Sequence, residues 1–384
     1  DENTFVKSNV FYSNYNFLLF SNFTFFLEDP TNGDQIKQNE ERNIFGFNSE
    51  LNKNLSWNEA DVIIKAGAGF RTDNVNDIGL SHTLNRQEVL ENIQLGAIKE
   101  TNTFAYVSVD YKKNKWTLIP GLRIDNFNFS YVDDLQTAYT NETESKTVVS
   151  PKMNVLYSSN QDLQFFFKSG IGFHSNDTRV VVAQNGKDIL PVAYGADLGT
   201  LWRPLPKVFL NVAAWYLYLE QEFVYVGDAG IVEPSGITQR LGLDFGIRYQ
   251  INDWLFFNTD ATYTKARSLE ESNGFDYIPL APDFTMVGGL SILNLGRFSG
   301  GLKYRFIDDR PANEDNSITA KGYFVTDINA NYKLSKNLNA GLSIENLFDT
   351  EWNETQFATT SRLQNEIAAV EEIHFTPGTP FFKK

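Results

Sequence analysis

The stretch that decides the fold is Gly236–Arg267, GITQRLGLDFGIRYQINDWLFFNTDATYTKAR. Its first half alternates. Ile237, Leu241, Leu243, Phe245, Ile247 and Tyr249 share one parity, interrupted by Gln239, and Thr238, Arg240, Gly242, Asp244, Gly246, Arg248 and Gln250 share the other. Successive side chains of a strand point to opposite faces, so the spacing predicts a long strand with one apolar and one charged face. The chain turns at Ile251–Asp253 and runs back, Leu255, Phe257, Ala261 and Tyr263 now opposing Asn258, Asp260, Thr262 and Thr264.

The bulk numbers narrow what such a hairpin belongs to. The 384 residues are 42% hydrophobic and 14% aromatic, with a net charge of −15. The 32 Phe and 17 Tyr argue against disorder. No apolar run approaches the ~18 residues of a helical membrane span. A membrane β-barrel stays open, because its strands spend every second residue on a polar side chain. The acidic balance argues against nucleic acid as a partner. The chain has no cysteine, which removes disulfide frameworks and thiolate zinc sites. Its first residues carry no signal peptide, so the leader was removed or the chain begins partway through a longer protein.

Candidate strands run the length of the chain. They are Phe5–Tyr12, Asn16–Leu27, Glu41–Leu51, Ala60–Arg71, Glu100–Tyr111, Lys115–Tyr131, Thr147–Tyr157 and Leu163–His174 in the first part. Leu190–Trp202, Lys207–Phe223, Ile237–Gln250, Trp254–Arg267, Pro282–Leu293, Arg297–Ile307, Tyr323–Leu334, Leu338–Phe348 and a last piece from about Ile373 follow. Most reach the ~9–11 residues that cross a bilayer at barrel tilt, against ~5–6 for a typical globular strand.

The links alternate too. Shorter ones fall at Ser13–Tyr15, Asn52–Glu59, Lys112–Asn114, Ser158–Asp162, Arg203–Pro206, Ile251–Asp253, Asn294–Gly296 and Ser335–Asn337. Long polar ones fall between them, at Glu28–Glu40, Thr72–Lys99, Val132–Lys146, Ser175–Ile189, Val224–Gly236, Ser268–Ala281, Asp308–Gly322 and Asp349–Glu372. Short periplasmic turns and long outer loops are the rhythm of an outer-membrane barrel. Pro120 and Pro151 stand inside expected strands, where a closed sheet has no free edge to hide a missing N–H, so a bulge or a rim position is expected there.

The C-terminal segment Gly341-Leu-Ser-Ile-Glu-Asn346-Leu347-Phe348-Asp349, with Glu351-Trp352 after it, resembles the NLFD signature of TonB-dependent outer-membrane receptors. Phe375-Thr-Pro-Gly-Thr-Pro380 resembles the P-G-x-P element that opens that family's final strand. Pro120-Gly-Leu-Arg-Ile-Asp125, Ser150-Pro-Lys-Met153 and Gly172-Phe-His-Ser175 are weaker echoes. The resemblance implies an all-β, antiparallel transmembrane β-barrel of about 22 strands, of which about 17 are present here. Residues 1–384 are then expected to be barrel throughout, incomplete at both ends, with the family's plug domain and TonB box outside this chain.

Candidate site residues follow from parity. Arg123, Asp125, Arg240, Asp244, Arg248, Asp327 and Glu345 fall on the polar face and are expected to line the lumen, as a substrate path, a plug contact or a plain polar wall of cross-strand ion pairs. Asn346, Leu347, Phe348 and Asp349 carry the family motif. His82, His174 and His374 fall in or beside the long links without metal-ligand spacing and read as ordinary loop histidines. Asp133-Asp134, Asp308-Asp309 and Glu314-Asp315 match no calcium loop and read as solvated surface. Trp116, Tyr131, Tyr157, Trp202 and Trp254 are expected in interface girdles. Ser175 beside His174 makes no catalytic triad, and neither an enzyme activity, a cofactor nor a metal site is expected.

The resemblance implies a receptor in the outer membrane of a Gram-negative bacterium. It would import a scarce ligand (a siderophore or other metal complex, haem, cobalamin, a glycan or a peptide) by energy delivered through TonB. Expected partners are TonB, outer-membrane lipid, the small ligand and other outer-membrane proteins, with no nucleic acid. A passive porin-like channel and a structural barrel subunit of an outer-membrane assembly are the alternatives.

Overall fold

The computed structural model describes residues 3–136, 141–175, 178, 190–226, 231–234 and 236–383. The opening hairpin is realised as two antiparallel strands, Thr238–Gln250 and Leu255–Ser268, with Leu243 opposite Tyr263 and Asp244 opposite Thr262. In the turn, Asn252 Oδ1 accepts from the amides of Trp254 (3.0 Å) and Leu255 (2.9 Å), the local device by which Asn reverses a chain.

The same unit repeats. In chain order the strands begin β1 (Thr4–Ser21), β2 (Ile36–Trp57), β3 (Ala60–Leu84), β4 (Glu88–Lys113), β5 (Trp116–Asp133), β6 (Asn141–Ser158) and β7 (Leu163–Phe173). They continue as β8 (Val192–Leu205), β9 (Val208–Leu219), β10 (Phe223–Val226), β11 (Ile231–Pro234), β12 (Thr238–Gln250), β13 (Leu255–Ser268), β14 (Phe284–Leu295) and β15 (Phe298–Ile307). The last are β16 (Arg310–Pro311), β17 (Thr319–Ala320), β18 (Tyr323–Lys333), β19 (Asn339–Glu345), β20 (Asn353–Ser361), β21 (Val370–Pro377) and β22 (Phe382–Lys383). Sixteen form one antiparallel meander in chain order, and β10–β11, β16–β17 and β20–β21 are separate hairpins carried by the outer links. Some links are two residues, such as Asn58–Glu59, both at positive φ (50° and 64°). The turn after β12 belongs to this short-link end, as expected.

One face of the sheet is apolar and uncovered by protein. Leu241, Leu243 and Phe245 of β12 are exposed, as are Leu122, Ile124, Val149, Phe165, Phe167 and Leu198, the last at 63%. An apolar band of this extent is the kind of surface that a membrane or a partner covers. Trp116 and Tyr157 meet across β5–β6 with ring centroids 4.7 Å apart, near the short-link end, and Trp202 is exposed at the same end. Tyr131 departs from the expected girdle. It lies on the polar parity of β5 and packs on the buried cluster of Phe127, Phe129, Val148 and Leu190. Leu190, just before β8, thus lies on the polar side of the sheet.

The structure corrects several expected boundaries. Ser13–Tyr15 is no turn: β1 runs unbroken through it, with Ser13 opposite Ile44 and Tyr15 opposite Arg42. The apolar run to Leu27 leaves the sheet at Ser21, so Phe23, Phe25 and Phe26 lie in an outer link. Thr72–Lys99 is no irregular loop but the upper part of the β3–β4 hairpin, which turns at 85–87. Its register shifts at Val75/Ile78, Leu80/Ser81 and His82/Thr83 scramble the parity that sequence reading relies on. The piece from Ile373 belongs to β21, and the main sheet's last strand is β22. With the first two expected strands joined in β1, the main sheet has 16 strands among the described residues, beside the about 17 expected. Parts of the expected links 132–146, 175–189 and 224–236 lie outside the described residues.

The prolines interrupt ladders without shifting them. The β4–β5 pairing lapses between Ser108–Gly121 and Tyr111–Leu118, the gap that contains Pro120. The β6–β7 pairing ends at Lys152–Gly170, next to Pro151. A missing N–H stops hydrogen bonding on one side of a strand only, and both positions remain paired on the other side.

Candidate functional site

The polar face carries the site. Within β5, Arg123 and Asp125 are two apart, hence on one face, and the guanidinium Nε and Nη2 each donate to the Asp125 carboxylate at 2.7 Å. Asp125 is 0% exposed and also accepts from Asn102 Nδ2 at 3.0 Å. The Arg123 guanidinium lies 4.0 Å from the centroid of Phe104, so its flat side is covered as well. The same arrangement recurs one hairpin away. Arg71 Nε and Nη2 donate to Asp73 at 2.7 Å each, and Arg42 joins from β2, 3.7 Å from Asp73 and 3.1 Å from Glu40.

Below this, Tyr106 Oη donates to Glu50 at 2.6 Å and Lys65 pairs with Asp110 at 3.3 Å. The tyrosine ring lies across Gly67, where a Cβ would overlap it. A recess of about 560 Å³ opens here, its wall including Glu50, Lys65, Tyr106, Asp110, Arg123 and Lys152.

Farther along the sheet, Asp244 accepts from Trp215 Nε1 (3.0 Å) and Thr262 Oγ1 (2.9 Å), with the indole seated over Gly242. Arg248 pairs with Asp260 at 2.7 Å, both half exposed, and Arg240 pairs with Glu222. Asp327 accepts the backbone N–H of Asn346 at 3.0 Å and lies 3.9 Å from Arg305. Glu345 is exposed, opposite Phe382 at the end of the sheet. Of the seven expected residues, the structure joins Arg123 to Asp125 and gives the others separate partners or none in common. The Arg-x-Asp spacing in Arg71–Asp73, which repeats that of Arg123–Asp125, is the signal that could have flagged the β3 pair. Glu50–Tyr106 and Trp215–Asp244 are cross-strand contacts that need the register.

The motif Asn346–Asp349 is a knot at the outer end. Asn346, 1% exposed, holds the carbonyls of Thr350 (2.8 Å) and Thr379 (3.1 Å) with its amide nitrogen and accepts from the Thr350 amide (2.8 Å). Leu347 N–H donates to Thr326 O at 2.7 Å, Asp349 accepts from the Phe381 amide at 3.0 Å, and Phe348 is exposed. Trp352 donates to Thr379 O at 3.0 Å and stands over Gly378.

The outer links hold one another. Phe26 N–H donates to Arg362 O at 2.9 Å, and Arg362 Nε returns to Phe26 O at 2.9 Å. His374 stacks on Phe25 (5.5 Å), and His82 Nε2 meets the Gly33 carbonyl at 2.6 Å. His174 Nε2 meets Gln221 O at 3.2 Å, and burial pushes its pKa down. Gln356 bonds the Lys321 backbone in both directions, at 2.7 and 2.9 Å. The sheet therefore curls far enough for the link after β1 to touch the hairpin before β22.

Comparison with known proteins agrees with this geometry. Residues 1–347 match the family described as TonB dependent receptor-like, beta-barrel. The metal-pseudopaline receptor CntO of Pseudomonas aeruginosa is 21% identical over 266 residues, 63% of this chain and 36% of that receptor. The catecholate siderophore receptor Fiu of Escherichia coli is 21% identical over 295 residues, 66% of this chain and 38% of that one. The chain thus spans little more than a third of these relatives' length. Among solved structures, the ferric citrate transporter FecA in its unliganded form overlays with a TM-score of 0.80 at 14% identity, over 99% of this chain and 58% of FecA. The copper transporter OprC overlays at 0.69 and 16% identity, over 91% of this chain and 57% of OprC. The family is one of outer-membrane receptors and transporters and not of enzymes, and this chain belongs to the β-barrel domain of the TonB-dependent receptors.

Proposed function

We propose that this chain is the barrel wall of an outer-membrane receptor that imports a scarce metal complex of a small chelator, driven by inner-membrane energy passed on through TonB. The observation that carries the reading is the division of one meander into two faces. The apolar face has no protein cover, and the opposite face holds Arg123–Asp125, Arg71–Asp73, Lys65–Asp110 and Arg248–Asp260 as ready-made ion pairs. The first suits lipid, and the second suits a wet lumen with a plug domain docked in it. On this reading Arg123, Asp125, Arg240, Asp244, Arg248, Asp327 and Glu345 line the lumen. The choice of a metal complex among the family's ligands is supported by the names of the relatives, a metal-pseudopaline and a catecholate siderophore receptor.

The test is uptake of metal chelates by cells carrying the full-length protein, with and without TonB. Uptake is expected to vanish without TonB while surface binding persists. Undiminished uptake would sink the energy-coupled reading and leave a passive channel.

A further inference from the structure

The sheet is not equally tall along its length. β3 and β4 run for 25 and 26 residues, against the ~9–11 that cross a bilayer, while β8 and β9 have 14 and 12. On β8–β9 the apolar face stays aromatic to its outer end, where Tyr194 and Tyr218 pair with ring centroids 5.9 Å apart. On β4–β6 the same face changes character partway up. Ala105, Ile124 and Val149 form its last apolar row below three polar ones, beginning with Thr103, Asn126 and Thr147.

The third polar row crosses six strands. Asn14, Asn43, Asn74, Lys99, Ser130 and Thr143 stand each directly opposite the next. Side chains in these rows meet: Asn14 Nδ2 donates to Asn43 Oδ1, the Thr72 and Thr101 hydroxyls pair, and Asn126 Nδ2 donates to Thr147 Oγ1, each at 2.9 Å. Asn43, Asn74, Asn76, Lys99 and Ser130 border a recess of about 440 Å³ whose wall includes the small Ala97.

In a chain with 48 acidic residues, these rows hold no carboxylate. Glu41 stands one row farther out, opposite Asn76, with β3 between it and Lys99. The exposed Lys99 has neutral cross-strand neighbours, Asn74 and Ser130. A wall that only meets water mixes both signs of charge, and the other face of the same strands does so with Arg42, Arg71, Asp73 and Glu100. Amides and hydroxyls both donate and accept, as sugar hydroxyls do, and an ammonium holds phosphate as a point charge. From the bilayer outward, this face therefore offers an apolar surface, then sugar-like hydrogen bonding, then one cation beside a hollow. We propose that it is a binding site for the phosphorylated saccharide headgroup of an outer-leaflet glycolipid, with the phosphate at Lys99 and the acyl chains against the apolar rows below. This rests on the barrel-wall reading above.

The experiment equilibrates the full-length protein, delipidated in a neutral detergent, with a bisphosphorylated, acylated glucosamine disaccharide and reads adducts by native mass spectrometry. One saturable adduct is expected. Lys99→Gln should weaken it roughly tenfold to a hundredfold, the factor of a hydrogen bond to a charged group. Asn74→Asp, which sets a carboxylate opposite Lys99, should weaken it at least as much. Lys265→Gln removes an exposed lysine from the same face of β13, opposite Leu241, and should change nothing. Phosphatidylglycerol, with chains and phosphate but no sugar ring, should bind more weakly than the glycolipid, and so should the phosphorylated disaccharide without its chains. Equal binding of phosphatidylglycerol would overturn the saccharide assignment, and equal binding of the chain-free sugar would overturn the lipid source. No saturable adduct, or equal losses from Lys99→Gln and Lys265→Gln, would overturn the site. Heat-modifiable migration on gels shows that each variant is folded, and if Asn74→Asp is not, the two lysine variants decide. Folded protein in the outer-membrane fraction that takes up no glycolipid rejects this inference alone. Protein missing from that fraction rejects the barrel-wall reading.

Discussion

The side-chain amide of Asn346 donates to the carbonyl of Thr379 at 3.1 Å across 33 residues of sequence, so the end of β19 grips the strand entry that follows the last outer hairpin. With its bonds to Thr350 both amide hydrogens are used and Oδ1 accepts once, and at 1% exposure no water replaces what it holds. The family motif is therefore a structural clasp in this chain, and its asparagine closes the link that contains β20 and β21.

Asn346→Ala is expected to leave the Thr350 amide and carbonyl without these partners, while the Thr379 carbonyl keeps Trp352 Nε1, at a cost of ~1–3 kcal/mol. The loss is local, so its reading is local. Limited proteolysis of the full-length protein in detergent should cut between residues 353 and 377 in the variant under conditions that spare the wild type. Identical cleavage maps would show that Trp352 and Asp349 suffice to hold the hairpin.

The ion pairs of the polar face differ in worth although their distances are equal. Arg123–Asp125 and Arg248–Asp260 both close to 2.7 Å, but Asp125 is fully buried and Asp260 half exposed. Arg123→Ala strands a buried carboxylate with Asn102 alone and should cost ~3–5 kcal/mol. Arg248→Ala should stay within ~1 kcal/mol, since water replaces the partner. Urea unfolding in detergent separates the two, and equal losses would reject burial as the deciding factor.

The two faces predict opposite responses to one substitution. Leu243→Lys puts a charge on the uncovered apolar face and should cost up to ~2–4 kcal/mol near the bilayer midplane. Val287→Lys puts the same charge on the polar face, opposite Asp260 on one neighbouring strand and Arg305 on the other, and should cost well under that. The readout is the amount of heat-modifiable protein in the outer-membrane fraction. Equal yields from both would contradict the assignment of faces.

What the sequence disclosed and what it hid have physical causes. Parity alone places Leu243 and Asp244 on opposite faces, because a strand that keeps its register keeps its period of two. Parity failed in the upper β3–β4 hairpin, where three register shifts move side chains such as His82 and Thr83 out of phase. It failed again at Phe23 and Phe25, whose rings pack on the β20–β21 hairpin and not in the sheet: Phe23 meets Phe357 at 5.2 Å and Phe25 stacks on His374 at 5.5 Å. A composition window cannot separate those two fates. Arg123 and Asp125 were readable as neighbours because they share one strand, while the Asp327 contact to the Asn346 backbone spans 19 residues and depends on where β19 ends.

Acid should loosen the outer link after β15. Asp309 accepts from the Gly322 amide and from Lys321, and these bonds, the first foremost, hold its carboxyl below its ordinary value of 3.8. A carboxyl depressed in the folded state contributes stability that is present above the unfolded value and lost as pH falls through the folded one. Nothing is therefore expected between pH 8 and about 4, and loosening of residues 308–322 should set in only below the 3.8 of the free group. Hydrogen exchange of the Gly322 amide, corrected for the intrinsic pH dependence of exchange, reports the bond itself. Protection should fall with acid in the wild type and be low at every pH in Asp309→Asn, whose neutral amide accepts more weakly from both donors. A wild-type curve that stays flat to pH 2 would mean that Lys321, tied to Gln356 through its backbone at 2.7 and 2.9 Å, holds the link without the carboxylate.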